Sequence, residues 1–503
     1  MKKINAQISA WENRHQTFVQ AIKVMYELGN ESNLSPLAAY NDTTAGLQGI
    51  IAEAIAAKVP LRALGAGWSW TKIATAEAGI MIDTKPLNMI FEISPASVSS
   101  TYTGDVSKLF LAQCGNGVWE LNRFLKDRNL SLKTSGASNG QTIAGVTATG
   151  AHGSAFDVGA VQDFVLGMHI IVSPTRHIWL ERASAPIASA ALVQSLGAEL
   201  VQDDDLFHAA LVSFGSFGII HGVMIETEDI FLLEAYMSQM PFDDTLQNMM
   251  ETLDFSKATT LPYGNERPFH FAISLNPYNT DGAYVTTMYK RPYKAGYKPP
   301  VSNLAGLGPG DDAPCFIGFL TQAIPSLVPG LVTKLLANSL TPYKQQFGTL
   351  GEIFNNTSLH GKLLSAAIGI PISYVRKVTD LLMAINKSNG PFVGLFAYRF
   401  IKKSNATLAF TRFDYTCVLE LDAAFSDETY AFYNAVWTEM EKEGIPFSFH
   451  WGKVNQLDFD RITRMYGDGV QSWIKARNTI LDADCRKVFT NGILQQWGLD
   501  KEV

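Results

Sequence analysis

Two glycine-rich runs and one short C-terminal segment hold the residues whose types and spacing could do chemistry. The first run is Arg62-Ala63-Leu64-Gly65-Ala66-Gly67-Trp68-Ser69-Trp70. An apolar stretch leading into Gly-x-Gly invites a dinucleotide fingerprint, but Trp70 stands where the third glycine belongs, so that reading fails. Glycines still let successive backbone N–H groups converge on an anion. Residues 64–69 therefore fit a phosphate-binding turn and, equally, a plain β-turn. The second run, Ser135 to Ser154, has five glycines and no Asp, Glu, Lys or Arg in twenty residues. No Gly-Lys-Ser/Thr closes it, so it is not a P-loop. Close approach to a large flat or phosphorylated ligand explains such a loop, and tight structural packing is the alternative. The C-terminal segment Phe449-His450-Trp451-Gly452-Lys453 sets an imidazole beside a fixed cation. Those are the types that serve as general base and charge stabiliser.

The elements that must position these residues are legible in the apolar pattern. Leu47, Ile50, Ile51, Ala54 and Ile55 recur at helical spacing within 44–58, and Pro60 ends that helix. Short strands are expected at 61–64, 79–83, 108–114 and 164–173, with a helix at 118–129. Asp203, Asp204 and Asp205 open a further helix, where the macrodipole favours acids. From 231 the texture changes to β-prone runs at 270–277, 284–290, 392–401 and 415–421, separated by helical stretches at 328–340, 362–386 and 427–443. An α+β protein follows, with one unit up to about residue 230 and a second, a sheet with helices on one side, from 231 to about 450.

The chain has 503 residues, 47% of them hydrophobic and only 17% charged, enough for roughly two to four domains. A formal charge of −7 argues against a nucleic-acid footprint. Cys114, Cys315, Cys417 and Cys485 lie far apart, which excludes a disulfide scaffold or a cysteine-based zinc module and suits a reducing, cytoplasmic setting. The nine histidines show no metal spacing. No apolar run precedes Glu12 and Arg14, so a signal peptide is not expected. Residues 313–333 carry no charge, but Pro314, Pro325 and Pro329 interrupt them. They read as buried apolar helices, or as a surface touching membrane or a lipid-like substrate.

Taken in order, Arg62 to Trp70, Gly115-Asn-Gly-Val-Trp-Glu-Leu-Asn-Arg-Phe-Leu125, Gly140 to Ser154, Asp205 to Ile220 and Phe449 to Lys453 resemble the PCMH-type FAD-binding proteins of the vanillyl-alcohol-oxidase superfamily. Within it they are most similar to the sugar-lactone and alditol oxidases. Leu481-Asp482 through Phe489 and Asn491 resembles the tail of that family. The resemblance implies a two-subdomain FAD-binding domain over 1–230, an α+β cap with a mostly antiparallel sheet over 231–455, a C-terminal segment 456–503 that returns to the FAD-binding domain, and FAD bound in extended form. Leu64, Gly65, Ala66, Gly67, Trp68 and Ser69 would hold the pyrophosphate. Ser135, Gly140, Thr142, Gly145, Thr149, Gly150, His152, Gly153 and Ser154 would line the ribityl chain and isoalloxazine. Gly218, Ile219 and Ile220 would pack near the adenine.

The same resemblance implies oxidation of a CH–OH group of an alcohol, polyol or sugar lactone by hydride transfer to flavin N5, with O2 or another acceptor reoxidising the flavin. Lys453 is the first candidate for the cation near flavin N1, which also makes it a cofactor-binding residue, and Arg399 is the second. His450 is a candidate base or a packing histidine, set opposite Lys453 by strand alternation, and His152 contacts flavin or backbone. An apolar sterol or natural-product alcohol is the alternative substrate, and a non-catalytic FAD-binding protein the third reading.

Two departures stand out. Many of these oxidases link FAD through a histidine where this chain has Trp68, whose indole nitrogen is a poor nucleophile, and no cysteine lies in the second run, so FAD is expected to be non-covalent. The family commonly has Glu-x-Arg on the cap strand, and here Ala397 precedes Arg399, which leaves the arginine without a carboxylate two residues away.

Overall fold

The computed structural model describes residues 1–300, 324–355 and 362–502. Its first long helix, Pro36–Ala57, buries Leu47, Ile50, Ile51 and Ala54 on one face and stops at Lys58, which turns left-handed at φ 53°. It begins eight residues before the expected start because Tyr40, Thr43 and Thr44 are buried as well. Their polar groups find partners inside, Tyr40 with His169 (2.8 Å) and Thr44 with His221 (3.1 Å). Hydrophobic periodicity alone could not reveal that.

Among the described residues, three large sheets and two two-stranded ones hold the strands. Four strands, Lys2–Asn5, Val24–Gly29, Ile80–Asp83 and Leu61–Leu64, pair in that order. Leu61–Leu64 and Ile80–Asp83 run parallel, which aims the Gly65–Trp70 loop off the end of the sheet. Six strands form the second sheet, centred on Val165–Ile171 and Ile219–Glu226. The third has eight strands, from Tyr343–Gly348 at one edge to Ser448–Phe449 at the other, and every pairing in it is antiparallel. The α+β class and the antiparallel cap sheet expected from the sequence are present.

Two expectations are corrected. Residues 362–386 were expected as one helix, but Leu363–Pro371 is a strand inside the eight-stranded sheet and the helix is Val375–Asn389. Leu363 through Ile370 are all buried, and a continuous apolar run fits a strand covered on both faces as well as it fits a helix. Within the second glycine run Ile143–Ala148 is helical, with the Thr142 hydroxyl accepting from the Gly145 N–H at 3.3 Å. The polar start of the chain also forms strands, including a hairpin of Ala10–Glu12 with Val19–Ala21.

The C-terminal helices pack back on the first half of the chain. Trp473 donates its indole N–H to the Val212 carbonyl (2.9 Å), and Asn491 donates to the Thr75 carbonyl (2.9 Å). Arg62, 2% exposed, donates to the Ile73, Gly215 and Phe489 carbonyls. Residues 313–323 of the uncharged run lie outside the described residues. Its remainder enters the helix Val328–Ser339, which buries Val328, Val332 and Leu336 against Val393 and Ala424. Among the described residues no helix is long and apolar enough to cross a membrane.

Candidate functional site

A cavity of about 540 Å³ opens between the two glycine-rich runs and the cap sheet. Leu64 to Ser69 all line it, as do Thr142, Gly145, Thr149, His152, Gly218, Ile220, Arg399, His450 and Lys453. The two runs meet so closely that a Cβ at Gly65 would collide with the Thr142 hydroxyl, and Gly67 takes φ +69°, a backbone that disfavours any side chain. Ser135, Gly140, Gly150, Gly153, Ser154 and Ile219 are absent from the lining and build the wall from behind. Gly140 lies flat under the Trp68 indole, Gly153 backs onto the Ser135 carbonyl, and Ser154 donates to the Phe271 carbonyl at 3.0 Å.

Among the described residues, three buried polar atoms of lining residues have no hydrogen-bond partner: the Arg62 Nε–H, the Trp68 indole N–H and the Gln141 carboxamide oxygen. A buried orphan donor and acceptor cost stability unless something answers them. A glycine-rich cradle with two orphan donors and one orphan acceptor fits a large ligand that both accepts and donates hydrogen bonds, as FAD does.

The cap contributes an ion cluster that sequence reasoning did not find. In the register of Gly394–Lys402 against Tyr415–Ala424, Ala397 sits directly opposite Glu420. Glu420 Oε2 lies 3.0 Å from Arg399 Nε, and its Oε1 lies 2.8 Å from Lys453 Nζ. Arg399 is therefore not without a carboxylate: the partner comes from across the ladder instead of from position 397. Burial opposes ionisation of Glu420, but Arg399, Lys453 and His152 outweigh it and hold the carboxyl well below the ordinary range. Asp422 stands two residues on, sharing its face, and accepts a hydrogen bond from Ser365. Burial pushes the Asp422 carboxyl up, with Lys453 opposing and Glu420 adding to the rise.

Two imidazoles complete this end. His152 Nδ1 donates to the Gly153 carbonyl at 3.0 Å, which leaves Nε2 with its lone pair, 3.9 Å from Glu420 Oε1. Burial lowers its pKa to about 4, so it is neutral near pH 7. His450 is also held neutral by burial, and its Nδ1 accepts from the Gly452 N–H at 3.1 Å. It faces the same cavity as Lys453, against the alternation expected, because the strand is only Ser448–Phe449 and the chain turns after it. Tyr398 points the other way and bonds Thr379 at 2.9 Å. The only hint of Glu420 and Asp422 in the sequence is two acids in an otherwise apolar strand.

The first glycine run touches the cap segment directly. Trp70 donates its backbone N–H to the Gly452 carbonyl (2.7 Å) and its indole N–H to the Leu363 carbonyl (2.9 Å). Thr71 donates to the Trp451 carbonyl at 3.0 Å.

Comparison with known proteins agrees with this geometry. A family model described as an FAD binding domain matches residues 36–179. Over 313 residues the chain is 26% identical to an L-gulono-1,4-lactone dehydrogenase of Mycobacterium tuberculosis, which covers 62% of each chain. Over 136 residues it is 29% identical to a D-arabinono-1,4-lactone oxidase of Debaryomyces hansenii, covering 27% of this chain and 21% of that protein. The chain thus spans less than two thirds of the length of these relatives. Among solved structures, a cholesterol oxidase from B. sterolicum superposes with a TM-score of 0.71 at 14% identity, covering 99% of this chain and 97% of that one. That likeness is one of fold, and it extends over both the glycine-rich half and the cap.

Proposed function

From an FAD-binding fold of the PCMH type under an antiparallel cap, we propose that this chain is an FAD-dependent oxidoreductase that oxidises a CH–OH group of a polyol or sugar lactone. The observation that carries the reading is the Arg399–Glu420–Lys453 cluster, presented by the cap to the glycine-rich loops. Residues 1–230 with 456–503 form the cofactor domain in this reading, and 231–455 form the cap. The 64–69 loop holds the pyrophosphate, the second run lines the ring system and 218–220 the adenine end. Bound FAD supplies the hydride acceptor.

The chain's own groups position the substrate and handle charge. Glu420, kept ionised by two cations, accepts the hydrogen bond of the reacting hydroxyl and aims it. As hydride leaves carbon the hydroxyl proton becomes acidic enough for a weak base, and His152 Nε2, unprotonated at neutral pH and beside Glu420, takes it. Lys453 and Arg399 hold positive charge where the reduced cofactor needs it. Ser365 and Asp422, bonded to each other at the same end of the cavity, are placed to meet further hydroxyls of a polyol or lactone. The M. tuberculosis and D. hansenii relatives, named for sugar lactones, support the same substrate class.

The test is anaerobic mixing with a panel of polyols, sugar-1,4-lactones, simple alcohols and sterols. A polyol or lactone should bleach the visible flavin absorption, and admitting O2 or an artificial acceptor should restore it. Bleaching by sterols alone would transfer the site to apolar alcohols, and no bleaching by any of the four classes would end the reading.

Non-covalent attachment is the finer part of the proposal. Trp68 replaces the linking histidine, and Cys114, among the described residues the one cysteine lining the cavity, has its thiol pushed up to about 12 by burial, which makes it inert. Three buried unpaired thiols, Cys114, Cys417 and Cys485, also support a reducing cytoplasmic setting. Acid precipitation is expected to leave yellow FAD in the supernatant, and colour retained in the pellet would contradict it.

A further inference from the structure

We propose that the N-terminal hairpin, Ala10–Glu12 with Val19–Ala21 and the turn between them, is a strap that retains FAD by clamping the 65–70 loop. The inference rests on the FAD reading above and assigns cofactor retention to residues that lie outside the matched FAD-binding domain at 36–179.

The hairpin grips four consecutive residues of the loop. Arg14 donates its backbone N–H to the Gly67 carbonyl at 3.1 Å, and Asn13 donates its side-chain amide to the Ser69 carbonyl at 3.1 Å. The Arg14 guanidinium sits 4.7 Å from the Trp68 ring, and the His15 ring stacks on Trp70 at 3.7 Å, 5° from parallel. Trp11 reaches the cavity itself and lies so near Gly67 that a Cβ there would come within 2.9 Å of its ring. Asn13, 1% exposed, is the pivot: its Oδ1 also accepts from the Thr17 N–H at 2.9 Å, which fixes the turn.

A two-stranded hairpin has little stability of its own in water, so its order depends on the loop, and the loop's closed shape depends on it. Glycine 65 and glycine 67 give the loop its access to the ligand at the cost of a floppy backbone. A covalent link would make that harmless. Without one, an external clamp that preorganises the loop lowers the entropy lost on binding and slows release. The clamp also sits on Trp70, which bonds Gly452 and Leu363, so loop closure and the placement of Lys453 share one anchor.

The test is FAD binding to apoprotein, followed by flavin fluorescence, for Trp11→Ala, Asn13→Ala and the outward-facing control Val19→Thr, whose side is 59% exposed. Trp11→Ala and Asn13→Ala should each raise the FAD Kd at least about tenfold, mainly through faster release. Both should lower the melting temperature of the FAD-bound protein more than that of the apoprotein, so that part of the rise FAD confers is lost, and Val19→Thr should match wild type in both. Unchanged Kd in the two variants overturns the strap. So does a melting temperature lowered equally with and without FAD, because the hairpin would then only support the fold. Wild-type protein that binds no FAD at all would instead remove the functional reading beneath it.

Discussion

Replacing Glu420 by alanine is expected to lower kcat/KM by about a hundredfold to a thousandfold, the range for removing one preorganised charged group from an active site, and adding Ala397→Glu to the same chain should restore a large part of it. The carboxylate at 420 is 6% exposed and bridges two cations, at 3.0 Å from Arg399 and 2.8 Å from Lys453. Removing it leaves two positive groups facing each other with no anion between, so some stability is lost along with activity. Losing one partner of a buried ion pair costs about 3–5 kcal/mol where no water replaces it. Arg399 and Lys453 keep 21% and 15% side-chain exposure, so the lower end applies. Glu420→Gln preserves shape and separates the two effects: its melting temperature should fall less than that of the alanine variant while its kcat/KM stays low. The rescue is the sharper half. Positions 397 and 420 are direct cross-strand partners, with Cβ atoms about 4.5–5.5 Å apart on one face. A glutamate at 397 can therefore deliver its carboxylate to the same two cations. Steady-state kinetics of the double variant decide the matter, and activity no higher than that of Glu420→Ala would show that the carboxylate must come from this strand.

That pair also marks the limit of what the residues alone disclose. The glycine runs and the helix at 118–129 announce themselves because their signals are local, small side chains in sequence or apolar residues at one period, whereas the Phe449–Lys453 segment is picked out by its resemblance to a family motif. The helix is found at Val118–Lys126 and the strand at Ile80–Asp83, close to where periodicity puts them. Glu420 answers Arg399 from twenty-one positions away, and only the register of two strands makes them neighbours. The two acid letters in Tyr415–Ala424 look like ordinary strand polarity until the sheet shows Glu420 buried opposite Ala397. Leu363–Pro371 was unreadable for a related reason: a strand covered on both faces has no alternation to detect. His450 was misplaced because alternation was extended past a strand only two residues long. Local chemistry was legible, and the pairing that turns it into a site was not.

Lys453→Met should slow flavin reduction, or its reoxidation, by about tenfold to a thousandfold, read by stopped-flow absorbance under anaerobic and then aerobic conditions. Methionine keeps most of the side chain's length and volume while removing the charge, so packing loss is small and the effect reports electrostatics. The substitution has a second consequence that a merely structural lysine would not produce. Burial favours protonated Glu420, and Arg399 and Lys453 are the main forces against it. With Lys453 gone, one of those forces disappears and the Glu420 pKa must rise toward the ordinary carboxylate range. The protonated form cannot accept the hydrogen bond of the reacting hydroxyl, so kcat/KM of the variant should fall as pH drops at values where the wild type is still flat. Lys453→Arg, which restores a cation within reach of Glu420, should return the acid limb toward the wild-type position even if the geometry costs rate. A variant with wild-type reduction and reoxidation rates would remove Lys453 from the chemistry. A slow variant whose pH profile keeps the wild-type shape would leave Lys453 acting on the cofactor alone and break its link to Glu420.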